Sequence, residues 1–120
     1  MVLYPLSSNT LYVLKIKKYI ERLPARVSRE GLSVDGLYES VGCSACNTTG
    51  YHGRVAIFEL FPVNAEAEQI IMMGTGAADL YAFAISRGMV TMRQDGVLKA
   101  LHGITTIAET EAATGPIEFI

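Results

Sequence analysis

Apolar positions near the start of this chain recur with a helical period. Val13, Ile16, Ile20 and Leu23 fall at spacings of three and four, while Lys15, Lys18 and Arg22 line another face. The stripe predicts a helix from an Asn9 cap to about Arg22, ended by Leu23-Pro24. Residues 24–42 lose the period and read as an irregular connector with breakers at Gly31, Gly36 and Gly42. Within it, Gly31-Leu32 and Leu37-Tyr38 are candidates for short anchoring contacts. From Arg54 to Pro62 the run R-V-A-I-F-E-L-F-P alternates imperfectly and is rich in β-formers. It predicts one short strand, stopped by Pro62.

Beyond Pro62 the pattern turns helical again. Asn64 can cap a helix through Met73, with Glu66 and Glu68 near its positive end. Gly74-Thr75-Gly76 breaks the chain, and Thr75 is the expected cap of a helix to Arg87 with Leu80, Phe83, Ala84 and Arg87 on one stripe. Gly88 is a natural terminator for it. Thr91 with Gln94 has the spacing of a capping box opening a helix to about His102, which Gly103 closes. Thr106 with Glu109 repeats the device before a last helix ended by Gly115-Pro116. The expected fold class is therefore α+β, mainly α: an N-terminal helix, a loop, one short strand and a bundle of about four short helices. Each helix is too short to be stable alone in water, so packing must hold them.

Composition narrows the partners. The 120 residues are 50% hydrophobic, enough for one small domain or two subdomains sharing a modest core. No apolar run approaches the roughly 18 residues of a membrane span, and the start M-V-L-Y-P-L-S-S lacks the pattern of a secretory signal. Net charge is −2, unevenly spread: residues 1–29 carry six Lys or Arg against Glu21 alone, about +5, so the rest sums to about −7. A basic segment of this kind either is a solvated helix face or meets something acidic: another part of an assembly, a membrane surface or nucleic acid. Met72, Met73, Met89 and Met92 suit adaptable core or interface filler.

The loop before the expected strand carries the candidate chemistry. Cys43 and Cys46, the only cysteines, form a C-x-x-C in a turn-rich loop. That spacing lets two thiolates reach one tetrahedral metal, and it is half of a four-thiolate zinc site. Three readings stay open: a zinc half-site completed by His52, Glu30, Asp35 or a second chain, a loop with reduced thiols, or a redox dithiol. No strand precedes Cys43, which disfavours the last. Gly50 and Gly53 suit turns, and Tyr51 is expected to cover the cysteine loop. Arg54 is a candidate partner for Glu59 or for a neighbouring subunit, and His102 for a favourable charge at a helix C-terminus. Asp95-Gly96 and Thr105-Thr106 read as helix boundaries, with no nucleophile or base near them, so no catalytic residue is assigned.

In order and spacing these motifs resemble the C-terminal region of the secretion ATPases of type II secretion and type IV pilus assembly. The resemblance rests on Cys43-Ser-Ala-Cys46, Thr49-Gly50-Tyr51-His52-Gly53-Arg54, Ile57-Phe58-Glu59-Leu60, Gly88-Met89 with Asp95-Gly96, and Gly103-Ile104-Thr105-Thr106 with Glu109. The family's first cysteine pair is replaced by Arg22-Leu23-Pro24-Ala25-Arg26, which leaves Cys43 and Cys46 as the two zinc ligands the resemblance implies.

Residues 1–23 then correspond to a helix continuing from a nucleotide-binding core, 24–53 to the connector and cysteine loop, 54–114 to a strand plus helical domain, and 115–120 to a tail. The four lysines, Lys15, Lys17, Lys18 and Lys99, follow no G-x-x-x-x-G, so the chain is expected to bind no nucleotide and to hydrolyse no ATP by itself.

The resemblance implies an assembly and protein-interaction module involved in protein secretion, cytoplasmic and peripheral to the bacterial inner membrane. Its partners would be the ATPase core, neighbouring subunits of a hexamer and an inner-membrane platform protein. Isolated, the apolar face of the first helix is expected to be exposed and to promote a homodimer. The competing reading is a stand-alone nucleic-acid-binding zinc knuckle using the basic segment; a pI near 5.6 and the lack of aromatics among those charges weigh against it.

Overall fold

A computed structural model of the chain describes residues 10–34 and 37–117, with the side chains of residues 10–12 left aside. Among these residues five α-helices follow in order: α1 (Thr10–Glu21), α2 (Ala65–Met72), α3 (Ala77–Ser86), α4 (Met92–Leu101) and α5 (Ile107–Thr114). A 3-10 turn at Ser44–Cys46 marks the cysteine loop. Asn9, the expected cap of α1, lies outside the described residues.

The core forms where α1, the connector, α4 and α5 meet. Ile16, Val34, Leu37, Val97, Ala100, Leu101, Ile107 and Ile117 make one buried cluster, with Val13, Tyr19, Ile20 and Leu32 packed against it. The apolar stripe of α1 is thus covered within the chain: Ile16 is fully buried and Leu23 3% exposed. This corrects the expectation that the stripe would lie exposed, and with it the stated basis for a homodimer through α1. Both anchoring contacts are real: Leu32 packs against the cluster, Leu37 is buried in it, and the ring of Tyr38 lies against Gly103. Any Cβ at Gly103, whose φ is +74°, would stand 2.8 Å from Tyr38 Cε2.

The hairpin of α2 and α3 is a second, smaller packing unit. Ala67, Ala84 and Met89 are buried there, and Phe61 meets Phe83 edge-on with centroids 5.9 Å apart. Arg87 lies 5.3 Å above the Phe83 ring and pairs with Glu66 at 2.5 Å, closing the hairpin on its exposed side.

Local capping explains most boundaries. Asn64 accepts from Ala67 N–H at the start of α2, and Thr91 with Gln94 completes a reciprocal capping box on α4. Thr106 accepts from Glu109 N–H at α5. Thr75 does not cap α3: Gly76 occupies that position, while the Thr75 hydroxyl turns back to donate to Ile70 O at 2.8 Å. His102 is the C-cap of α4, and Gly103 follows it at positive φ.

The expected strand is a second correction. No strand exists among the described residues, and 54–62 carries no regular structure. A strand needs a neighbour's backbone to complete its ladder. Here side chains of α4 take that place, so the β-forming sequence lies on the helical unit as a single segment.

Candidate functional site: motif residues fastened to one another

The resembling motifs converge in space, and their polar groups are spent largely on each other. Glu59 stands inside the apolar run and reaches the start of α4, where its carboxylate accepts from Met92 N–H at 3.0 Å. The first amides of a helix have no intrahelical partner and form the positive end of its dipole, so a carboxylate there is stabilised. Tyr81 of α3 donates to the same oxygen at 3.4 Å. Burial, followed by the Glu59 charge and this hydrogen bond, pushes the Tyr81 phenol above its usual pKa. Glu59 is therefore engaged, and Arg54 is exposed with no ion pair among the described residues; the expected Arg54–Glu59 pair does not form.

One turn into α4, Asp95 accepts from Phe58 N–H at 2.8 Å and from Lys99 Nζ at 2.5 Å. The Asp95–Lys99 pair spans one helical turn, and both side chains are about four-fifths buried, which shields it from solvent screening. Lys99 also donates to Ala56 O at 2.7 Å and sits 5.2 Å above the Phe58 ring. An acceptor and a donor on α4 thereby grip the backbone of 56–58 much as a neighbouring strand would.

A third fastening joins the cysteine loop's far end to α5. The Tyr51 hydroxyl meets Thr106 Oγ1 at 2.7 Å, and Thr106 is buried. Tyr51 therefore ties to the cap of α5. Gly96 of the D-G motif lets α4 and α5 approach: an added Cβ would stand 2.5 Å from Thr110 Cγ2. Thr110 is itself buried, with its hydroxyl donated to Thr106 O at 3.2 Å.

Cys43 and Cys46 lie at the surface with their sulfurs 3.4 Å apart. Cys46 Sγ accepts from the N–H groups of Cys43 and Gly50, each at 3.2 Å. The loop closes through Asn47 and Thr48 at positive φ and through Gly50 at φ +78°, where a Cβ would strike Ser40. Hydrogen bonds from the Cys43 backbone, then from its thiol, then from Gly50 N–H favour the thiolate and lower Cys46 from 9.0 to about 7. Two thiolates on a tetrahedral zinc at about 2.3 Å stand about 3.8 Å apart, so the pair fits half of such a site. Among the described residues no third His, Cys, Asp or Glu gathers with it. His52 instead lines a hollow of about 520 Å³ with Arg54, Ile104 and Glu109. Asp35 lies outside the described residues.

Sequence reasoning missed the Glu59, Asp95 and Lys99 fastenings. The i, i+4 spacing of Asp95 and Lys99 was the one local signal for them, together with a lone carboxylate inside an apolar run.

Comparison with known proteins places the chain in a family. The model for "Type II/IV secretion system protein" matches residues 7–112, and the chain belongs to that family. Over 96 residues it is 44% identical to the type IV pilus assembly ATPase PilB of Thermus thermophilus, covering 76% of this chain and 11% of that protein. PilB of Myxococcus xanthus is 37% identical over 81% of this chain and 17% of its own length. The type II secretion system protein HxcR of Pseudomonas aeruginosa is 43% identical over 62% and 16%. The chain thus spans between about a tenth and a sixth of the curated relatives it matches. Nothing in these names or in the site favours the nucleic-acid reading. No helix among the described residues is long and apolar enough to cross a membrane.

Proposed function

We propose that this chain serves secretion or pilus assembly as the non-hydrolysing accessory segment of a secretion ATPase, a module that holds its neighbours in place. The observation that carries this reading is the mutual fastening of the motif residues. Tyr51 is tied to Thr106, Glu59 to the amide end of α4, and Asp95 and Lys99 to the backbone of 56–58. Their chemistry is committed to rigid docking of one segment on a helical unit, which suits force transmission and subunit contact. The segment carries no Gly-rich loop with its lysine for phosphates.

In this reading residues 1–23 lead from the ATPase core, 24–53 bring the cysteine loop, 54–114 form the docking unit and 115–120 are a tail. The partners are that core, adjacent subunits of a hexameric ring and a platform protein of the inner membrane, on its cytoplasmic side. Zinc at Cys43 and Cys46 would require ligands from another segment or chain, and metal analysis after chelator-free purification measures it directly. A phosphate-release assay on the purified chain with magnesium and ATP tests the central point. The expected outcome is release no faster than the blank, and turnover that disappears in Asp95→Ala would overturn the reading.

A further inference from the structure

We propose that Cys43 and Cys46 form a reversible dithiol–disulfide pair, a site of thiol–disulfide exchange with small-molecule disulfides of the glutathione class. Spacing and local fold together place the sulfurs for it. Cys43 is extended, at φ −146° and ψ 174°, and Ser44–Cys46 make one 3-10 turn. Such a turn repeats about every 3 residues, so side chains three apart eclipse one another. The C-x-x-C spacing therefore sets both thiols on one side of the turn, with their sulfurs 3.4 Å apart. A sulfur–sulfur bond is about 2.05 Å long, so closing it asks the pair to approach by about 1.4 Å.

Bonds within the loop hold this arrangement. Cys43 O accepts from the N–H groups of Cys46 and Thr48, at 3.4 and 2.9 Å. Cys46 O accepts from Thr49 N–H at 3.2 Å and from the Thr49 hydroxyl at 2.8 Å. All four end on backbone carbonyls, which oxidation of the sulfurs leaves untouched, so the loop keeps its shape in both redox states. Access is open, since Cys43 is exposed and Cys46 partly so. The chain has no other cysteine, and among the described residues no third His, Cys, Asp or Glu gathers with the pair. What two sulfurs complete by themselves is a bond to each other.

The exchange balances in two steps. One cysteine gives up its proton and its sulfur attacks R–S–S–R, forming a mixed disulfide; the displaced R–S⁻ takes the proton and leaves as R–SH. The second thiol, 3.4 Å away, then gives up its proton and attacks the cysteine sulfur of the mixed disulfide, displacing the second R–SH. The pair loses two electrons, R–S–S–R gains them, and two R–SH run the steps backward. Because the second step is intramolecular between sulfurs already in contact, it outruns attack by free R–SH, and the mixed disulfide does not accumulate. Whichever cysteine attacks first, the other is placed to resolve it.

Mass spectrometry of the full chain, purified without chelator and held in oxidised glutathione, tests this. The parent should lose about 2 Da, show a Cys43–Cys46 link in its peptide map and keep no thiol that iodoacetamide can reach. Reduced glutathione should restore both thiols, with the helical circular dichroism spectrum unchanged throughout. Cys43→Ser and Cys46→Ser, each without its resolving sulfur, should stop at the mixed disulfide, heavier by about 305 Da, and hold about tenfold more of it than the parent. Three results would overturn the proposal: parent thiols that resist oxidation, with or without added chelator; mixed disulfide in the parent at the level of the single variants; or a disulfide that joins two chains instead of Cys43 to Cys46.

Discussion

Replacing Asp95 by alanine removes the acceptor that fixes Phe58 N–H and the partner of Lys99 in one step. The hydrogen bond to a charged acceptor at a part-open site contributes about 1 kcal/mol. An ion pair with side chains only 20% and 23% exposed adds about 1 kcal/mol. Loss of a negative charge in the first turn of α4 costs about 0.5 kcal/mol, which the better helix propensity of alanine offsets by a similar amount. The net expectation is destabilisation by about 2 kcal/mol. For 120 residues the unfolding entropy is about 0.25 kcal/mol/K, so Tm falls by about 8 °C. Asp95→Asn keeps an oxygen for Phe58 N–H and should lose only about 1 kcal/mol. Urea unfolding followed by circular dichroism at fixed m-value reads both numbers. An Asp95→Ala variant within about 0.5 kcal/mol of the parent would refute the idea that α4 grips the segment.

Tyr51→Phe removes only the hydroxyl on Thr106 and should cost about 1 kcal/mol in the same assay, with α5 amides exchanging faster. Gly96→Ala gains about 1 kcal/mol of helix propensity but drives a methyl into Thr110, and overpacking of about 2–3 kcal/mol wins, so the variant is less stable by about 1–2 kcal/mol. Cys46 should alkylate with a pH midpoint near 7, about two units below the ordinary thiol value of 9.0. Because the folded-state value is depressed, the thiolate's contribution to stability is complete above about pH 9. It is lost as pH falls through about 7, a trend that Cys46→Ser should abolish.

The helices were legible in the sequence because their signals are local. Asn64, Thr91 and Thr106 cap amides three residues away, and positive-φ Gly88 and Gly103 stop what precedes them. The α1 stripe was legible too, but its partner was not. Whether Ile16 meets another chain or Val97 of its own depends on contacts some eighty residues distant. The strand failed for the same reason. Residues 54–62 have β-forming composition, yet a strand is defined by a second backbone, and here Asp95 and Lys99 occupy that role from 37 and 43 residues away. Thr75 misled because a hydroxyl beside two glycines can turn either way, and it turned back onto α2. The cysteine pair was visible at once, and what it lacks was visible with it.

Amide hydrogen exchange at Phe58 and Met92 tests the fastening most directly. Neither amide has a backbone acceptor: one is held by Asp95 and the other, at the open end of α4, by Glu59. Both should exchange at least tenfold slower than an unstructured peptide. Phe58 alone should lose that protection in Asp95→Ala, and Met92 alone in Glu59→Ala, while Val97 in the core of α4 stays protected. Phe58 and Met92 amides exchanging at the unstructured rate in the parent chain would contradict the account.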